Sequence, residues 1–192
     1  MKSPTIPILP FGSKKQWADW LAKQHEKSTG VWLKLAKKGS GIPSVTYDEA
    51  LEVALSYGWI DGQKGSFDDE YWLQKFTPRG PRSIWSKINR EKAEKLIKGG
   101  EMKSAGLKAI ELAKQDGRWD KAYESQKNIS VPDDLQVALN KSPKAKAFFA
   151  TLNSVNRYAI LFRIHNVKKP ETRAKRIRQF VEMLERGEKL HA

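Results

Sequence analysis

Residues 59–90 carry the side chains of this sequence that are best suited to chemistry or to ligand binding. A carboxylate, arginines, hydroxyls, an amide and tryptophans crowd together there in an order that no helix or strand period explains. A carboxylate with a shifted pKa can act as an acid or a base, and an arginine fork binds phosphate or carboxylate. The sequence therefore predicts a ligand site built from Trp59, Asp61, Arg79, Arg82, Ser83, Trp85 and Asn89.

Asp61 allows two interpretations. It stands at the start of one probable strand, and Arg79 follows the next, so antiparallel pairing would bring the two side chains near each other. In the structural interpretation, Asp61 forms a buried ion pair with Arg79 or organises a turn. In the functional interpretation, Asp61 anchors a ligand amine or acts as a base, because apolar surroundings disfavour its charged form.

The polar residues after Arg79 lie where a helix is predicted to begin. Free N–H groups at a helix N-terminus favour anions, and the two upstream arginines would add charge-assisted hydrogen bonds. The alternative is ordinary capping by Ser86 or Asn89, with Trp85 in the core.

Positive charge is the second feature that bears on function. The chain carries 36 Lys and Arg against 22 Asp and Glu, a net charge of +14. The excess is concentrated between Lys141 and Arg178 and between Lys75 and Lys98. These stretches are either solvated faces or a surface for nucleic acid, phosphate or anionic lipid. For the second case we predict polyanion binding by Arg157, Arg163, Arg173 and Arg176.

No metal or cofactor is predicted. The sequence has no cysteine, and its histidines, His25, His165 and His191, have no ligand-type partner at metal-binding spacing. His25 is expected near a helix end, where positive charge is favoured.

The fold class predicted is α+β and mainly helical, with a small antiparallel sheet in the N-terminal half and a helical C-terminal half. Residues 1–12, rich in proline, are expected to form an arm without regular structure. Alternation and aromatic content predict strands at 31–35, 60–65 and 71–76. The domain boundaries predicted are 13–125 and 130–190.

Capping patterns and apolar spacing predict the helices. Ser13 with Gln16 and Thr46 with Glu49 open the first two, which end at Gly30 and at Tyr57-Gly58. Further helices are predicted at 86–97, 104–115, 133–139, 143–152, 154–165 and from Pro170 onward. In the last helix, Ile177, Phe180, Val181 and Leu184 have the spacing of a buried face.

Several strings of residues resemble a known family. They are Val131-Pro132-Asp133-Asp134-Leu135, Ala147-Phe148-Phe149, Asn156-Arg157 and Val167 through Arg173, preceded by Gly58 through Gly62, Phe76 through Arg79, Ser83 through Asn89 and Gly117-Arg118-Trp119. Over roughly residues 14–190 the chain resembles the YdeI/OmpD-associated, or bacteriocin-protection, family. The resemblance implies a helical C-terminal domain and carries over no catalytic residue. The family's name implies protection against bacteriocins or association with an outer-membrane protein.

Two classes of function follow. The preferred one is a non-enzymatic binder of an anionic partner, either nucleic acid or a phosphorylated small molecule. The alternative is a small-molecule enzyme with a pocket around Trp59, Asp61, Arg79 and Asn89. No apolar run is long enough for a bilayer span or a signal-peptide core, so cytoplasmic localisation is expected. No oligomeric state is predicted.

Overall fold

The computed structural model describes residues 6–191 and divides the chain between Ala122 and Tyr123 into two compact units. Within these residues the first unit runs β1 (Ile8–Pro10), α1 (Lys14–Gln24), β2 (Val31–Ala36), α2 (Tyr47–Ser56), β3 (Trp59–Ser66), β4 (Tyr71–Pro78), α3 (Lys87–Lys98) and α4 (Ser104–Gln115). The second unit runs α5 (Asp133–Asn140), α6 (Pro143–Thr151), α7 (Ser154–His165) and α8 (Pro170–Glu185). The predicted α+β, mainly helical class is confirmed.

The sheet of the first unit has the order β1-β2-β4-β3. Both pairings of β4 are antiparallel, as predicted, but β1 runs parallel to β2, so the sheet is mixed. The arm expected over residues 1–12 is therefore wrong at residues 8–10, and its residues 1–5 lie outside the described part of the chain. Proline is compatible with an edge strand because only one side of that strand must supply hydrogen bonds. Pro7 contributes its carbonyl to the N–H of Trp32, at 2.8 Å.

The two faces of the sheet differ in what they contact. Val31, Leu33 and Leu35 of β2 and Phe76 of β4 point to the inner face and are buried against residues of α1 and α2. The alternate positions of the same strands form the opposite, outer face. Helices of the first unit thus pack on the inner face.

Trp17 joins the elements on the inner face. Its side chain is fully buried, and its ring lies 5.3–6.5 Å from the rings of Phe11, Trp20, Trp59 and Phe76. The indole Nε1 donates a hydrogen bond to the carbonyl of Ala50 in α2, at 3.0 Å. One side chain therefore contacts α1, α2, β3 and β4 together with the segment that follows β1.

Glycine allows α4 to pack closely against the end of α2. Gly58 has φ +72°, and a Cβ there would lie 2.8 Å from the carbonyl of Ala105. A Cβ at Gly106 would collide with the carbonyl of Ser56. Lys103 donates its N–H to that same carbonyl at 3.1 Å, which places the start of α4 beside Trp59.

The end of the first helix differs from the sequence-based boundary. Helix α1 ends at Gln24 rather than near Gly30, because the N–H groups of Lys27 and Ser28 both bond to the carbonyl of Gln24 and close a turn after the C-cap His25. Helix α7 spans Ser154–His165, as predicted, and is capped by Asn153, whose side chain accepts the N–H of Asn156 at 2.9 Å. The capping box of Thr46 and Glu49 is confirmed at α2.

The second unit has its own core. Helices α5 to α8 contribute its buried side chains, and the predicted face of α8 is confirmed by Ile177, Phe180 and Leu184. Asn156 is the buried polar residue of this core and exchanges hydrogen bonds with the backbone of His191.

We expect Trp17→Ala to destabilise the protein by about 3–5 kcal/mol, because it removes a fully buried indole and leaves a cavity. Urea denaturation followed by circular dichroism measures the change. Ile97→Ala, at a side chain that is 41% exposed, is the control and should cost no more than about 0.5 kcal/mol. A loss below about 1 kcal/mol for Trp17→Ala would contradict this role of the indole.

Candidate functional site

Arg79 and Trp85, two of the predicted site residues, contact each other. The guanidinium of Arg79 lies 3.5 Å from the centre of the Trp85 ring, a close cation–π stack. Its Nη1 donates to the hydroxyl of Ser83 at 3.3 Å and to the carbonyl of Ile84 at 3.2 Å. The side chain of Arg79 therefore folds the segment that follows it back onto a buried tryptophan.

A second arginine, Arg118, also bonds to the segment between β4 and α3. Arg118 donates to the carbonyl of Ser83 at 2.6 Å and forms an ion pair with Asp116. Trp85 is only 1% exposed and meets Trp119 edge to face. The structural interpretation of Trp85, as a core residue, agrees with this burial.

Asp61 has a different neighbour. Its carboxylate accepts a hydrogen bond from the hydroxyl of Tyr47 at 2.9 Å. In the β3–β4 ladder Asp61 lies opposite Phe76, whereas the N–H of Arg79 bonds to the carbonyl of Gly58. Asp61 and Arg79 are thus three ladder positions apart, roughly 10 Å along the strand. The structure gives the two side chains different partners instead of a shared ion pair.

A groove of about 350 Å³ brings Trp59 and Arg79 together at the start of α4. His25, Tyr57 and Lys108 also line it. Trp59 presents little surface, since it is 1% exposed and its indole N–H donates to the carbonyl of His25. Burial raises the pKa of Tyr57 above its ordinary value, so the phenol stays protonated at neutral pH.

The remaining predicted residues of this site are dispersed. Arg82 is exposed on the turn before Ser83. Asn89 lies in the first turn of α3, and its N–H is accepted by the hydroxyl of Ser86. Ordinary capping by Ser86, the alternative interpretation, is therefore observed. The structure thus joins the predicted site residues in three separate groups. Arg79 contacts Ser83 and Trp85, Trp59 and Arg79 line one groove, and Asp61 bonds to Tyr47.

The four arginines predicted to bind polyanions lie in the second unit and are half-buried. Arg173 donates to both carboxylate oxygens of Asp134 and to the carbonyl of Ile164. Arg157 stacks on the ring of Phe149, with its guanidinium 4.6 Å from the ring centre. Arg163 and Arg176 belong to α7 and α8.

The more exposed positive charges of the second unit are mostly lysines. They lie on α6, on the turn between α7 and α8, and on α8 itself. Within residues 123–191 these exposed side chains form no ion pair: Lys144, Lys146, Lys168, Lys169, Lys175 and Arg178.

The outer face of the sheet holds residues that the site prediction missed. It consists of Trp32, Lys34, Leu73, Tyr71 and Lys75, with Phe67 from the β3–β4 turn. The ammonium of Lys34 lies 3.9 Å from the Tyr71 ring centre and 4.4 Å from that of Phe67. The ammonium of Lys75 lies 5.7 Å from the centre of the Trp32 ring. Lysines and aromatic rings therefore alternate over one side of the sheet.

A signal for this face was present in the sequence. Both Val31–Ala36 and Tyr71–Pro78 place aromatic residues and lysines at alternate positions, where a solvent-facing strand side normally carries small polar residues. Recognition of the face from sequence also required the order of the strands. Strands β2 and β4 are adjacent in the sheet although 34 residues separate Ala36 from Tyr71.

Among residues 6–191 no cluster of three His, Asp or Glu side chains could hold a metal ion. In the same described range, every helix is too short or too polar to cross a bilayer.

Fold and surface together define an α+β protein with a half-buried, aromatic and basic sheet face in one unit and exposed lysines on a helical second unit. Residues 9–109 match the family model described as "Domain of unknown function (DUF8412)", and residues 128–187 match "Bacteriocin-protection, YdeI or OmpD-Associated". The chain belongs to the family defined by the first of these domains and carries a YdeI/OmpD-associated domain after it. The resemblance seen in the sequence is confirmed at 128–187, and a separate model describes the N-terminal part. Neither the curated proteins nor the solved structures yielded a match to this chain.

Asp61→Asn and Arg79→Ala should have additive effects on the free energy of unfolding. Asparagine keeps an oxygen for the Tyr47 hydroxyl, so we expect Asp61→Asn to cost less than about 1 kcal/mol. Arg79→Ala loses its stack on Trp85 and two hydrogen bonds, which should cost about 1–3 kcal/mol. Urea denaturation of the single and double variants measures the coupling, expected to stay within about 0.5 kcal/mol. Coupling above about 1 kcal/mol would show that the residues interact. As a positive control, Tyr47→Phe and Asp61→Ala should couple, because each of these two changes removes the hydrogen bond between the two side chains.

The Arg173–Asp134 pair predicts an acid sensitivity of the second unit. Hydrogen bonds from Arg173 lower the pKa of Asp134 below its ordinary value. The folded state therefore gains stability above roughly pH 3.9 and loses it as the pH falls through the lowered pKa. Asp134→Asn should flatten the pH dependence of unfolding in this range. Because the Asp134 side chain is 45% exposed, the loss at neutral pH should stay below about 1 kcal/mol.

Urea denaturation between roughly pH 2 and 7, followed by far-UV circular dichroism, tests this expectation. Glu171→Gln removes an exposed carboxylate from the first turn of α8, the helix that carries Arg173, and serves as the matched control. The prediction is wrong if Asp134→Asn leaves the pH profile unchanged.

Proposed function

We propose that the protein is a non-enzymatic binder of nucleic acid that acts in the cytoplasm and holds its partner through the phosphates. The observation that carries this proposal is the set of exposed positive side chains in the second unit that form no ion pair. This unit has 14 Lys and Arg against 7 Asp and Glu in 69 residues, 123–191, so carboxylates do not neutralise it.

The turn before α8 supports phosphate contacts in particular. Lys168 and Lys169 are exposed there, and Lys175 follows on the helix. The first turn of α8 has no side-chain cap, so the backbone N–H groups of Glu171 and Thr172, which follow Pro170, receive no capping hydrogen bond from the N-cap residue. An uncapped helix N-terminus favours negative charge, and two lysines beside it add to that preference.

The residues that could have catalysed a reaction bond to other side chains of the protein, and these contacts favour a binding role. Arg79, Ser83 and Trp85 contact one another, and Asp61 accepts a hydrogen bond from Tyr47. These contacts position the segment between β4 and α3, and they leave fewer groups to act on a substrate. The groove at Trp59 and Arg79 favours the second candidate function, binding of a small molecule.

Binding through phosphates makes the affinity depend steeply on salt. Each neutralised phosphate releases counterions, so log K falls with log salt by about 0.9 per contact on duplex DNA. We expect the triple variant Lys168→Gln, Lys169→Gln, Lys175→Gln to lower affinity at about 50 mM salt and to reduce the slope by about 2–3. Fluorescence anisotropy of a labelled duplex of random sequence measures both quantities.

The matched control is Lys23→Gln, Lys27→Gln, Lys98→Gln, which removes the same charge from exposed positions of the first unit. It should change the slope by less than about 1. Absence of binding at about 50 mM salt would reject the proposed function. Equal losses in the two triple variants would reject the assignment to the second unit.

A further inference from the structure

The outer face of the sheet has the composition of a stacking surface. Trp32, Tyr71 and Phe67 supply rings, and Lys34 and Lys75 supply ammonium groups within 3.9–5.7 Å of ring centres. Trp32, Tyr71, Leu73 and both lysines are half-buried, and Phe67 is 46% exposed. Aromatic side chains that keep part of their surface in contact with water are available to stack on the flat face of a partner.

The packing of the sheet does not require aromatic residues on this side. The inner face buries Val31, Leu33, Leu35 and Phe76 against α1 and α2. The Trp32 ring instead lies across the outer face, within van der Waals reach of Gly65 and beside Leu73. A Cβ at position 65 would lie 3.9 Å from that ring, an ordinary van der Waals contact, which places the ring over β3.

Charge on the face selects the kind of partner. Lys75 pairs with no carboxylate among the described residues, and Lys34 contacts Asp68 at 3.7 Å. Asp69 and Glu70 extend this acidic turn, so negative charge is confined to the Phe67 end of the face. A partner that combines flat rings with negative charge fits the Trp32 and Lys75 end. Unpaired nucleotides have both properties, because their bases stack on aromatic rings and their phosphates attract lysine.

We propose that this face stacks the bases of single-stranded nucleic acid, with Trp32 as the principal platform and Lys75 on the adjoining phosphate. The inference rests on the proposed function, since it assumes that nucleic acid is the partner. It adds a specificity: bases in a duplex are already stacked and paired, so the face favours single strands.

Affinity for both forms of nucleic acid tests the proposal. Fluorescence anisotropy with a labelled 12-nucleotide oligothymidine and with a random-sequence duplex of equal length is measured for the wild type and for Trp32→Ala. We expect Trp32→Ala to weaken single-strand binding roughly 5- to 100-fold and duplex binding by less than about 2-fold. Leu107→Ala, at a side chain that is 46% exposed on α4, is the matched control and should leave both affinities unchanged.

Trp32→Phe and Lys75→Gln keep the test valid if Trp32→Ala unfolds. Phenylalanine retains a ring, so it should restore much of the single-strand affinity, whereas Lys75→Gln should lower it and reduce its salt slope by about 0.7. Circular dichroism confirms that each variant is folded.

Three outcomes would overturn the inference. Unchanged single-strand affinity in Trp32→Ala, or equal losses for single strand and duplex, would show that the face does not stack bases. A wild-type dimer that becomes a monomer in Trp32→Ala, measured by light scattering, would assign the face to contact between copies of the chain. If the wild type binds neither nucleic acid at about 50 mM salt, the proposed function and this inference fail together. Binding that persists but does not respond at Trp32 rejects the inference alone.

Discussion

The first unit depends on the burial of Trp17 between its helices and the inner face of its sheet. The indole packs against Phe11, Trp59 and Phe76 and donates its N–H to the carbonyl of Ala50. This one side chain therefore contacts α2 and the sheet from its place in α1. Burying the indole N–H is acceptable because a carbonyl accepts it. The result is a sheet whose two faces differ, with helices of this unit on one side and aromatic and lysine side chains on the other.

That asymmetry explains where function is best sought. Residues between β4 and α3 have the chemical types of a site, yet Arg79 and Arg118 use their donors to hold the segment against the Trp85 and Trp119 rings. Arginine suits this role because it stacks and donates at once. Lys168, Lys169 and Lys175 of the second unit are exposed, compact charges on flexible chains, whereas Lys34 and Lys75 on the outer face are half-buried beside aromatic rings. In the second unit Arg173 likewise uses its donors within the fold, because it bonds to Asp134.

Local sequence patterns were sufficient for most of the fold. Alternation over residues 31–35 predicted a strand, and the capping-box spacing of Thr46 and Glu49 predicted the start of α2, where the structure shows the reciprocal hydrogen bonds. The strand Ile8–Pro10 was missed because its stability comes from pairing with β2 and not from its own residues. In a sequence, proline indicates irregular structure, and an edge strand that contains proline is recognised only when its partner strand is known.

The candidate site was less predictable because its contacts join residues far apart in the chain. Tyr47 bonds to Asp61 across 14 positions, and Arg118 bonds to Ser83 across 35. Their positions in the sequence predicted that Asp61 and Arg79 lie close together, whereas the register of β3 and β4 places them three ladder positions apart. The outer face likewise depends on strand order, which places Trp32 opposite Lys75.

The proposed role of the outer face is to receive unpaired bases. Titration of ¹⁵N-labelled protein with oligothymidine, followed through the tryptophan indole and backbone N–H resonances in NMR spectra, tests this role residue by residue. We expect shifts at the Trp32 indole and at the amides of residues 71–77, while the Trp17 indole, bonded to Ala50, stays unchanged. Shifts confined to Trp59 and the residues around Arg79, with none at Trp32, would contradict it.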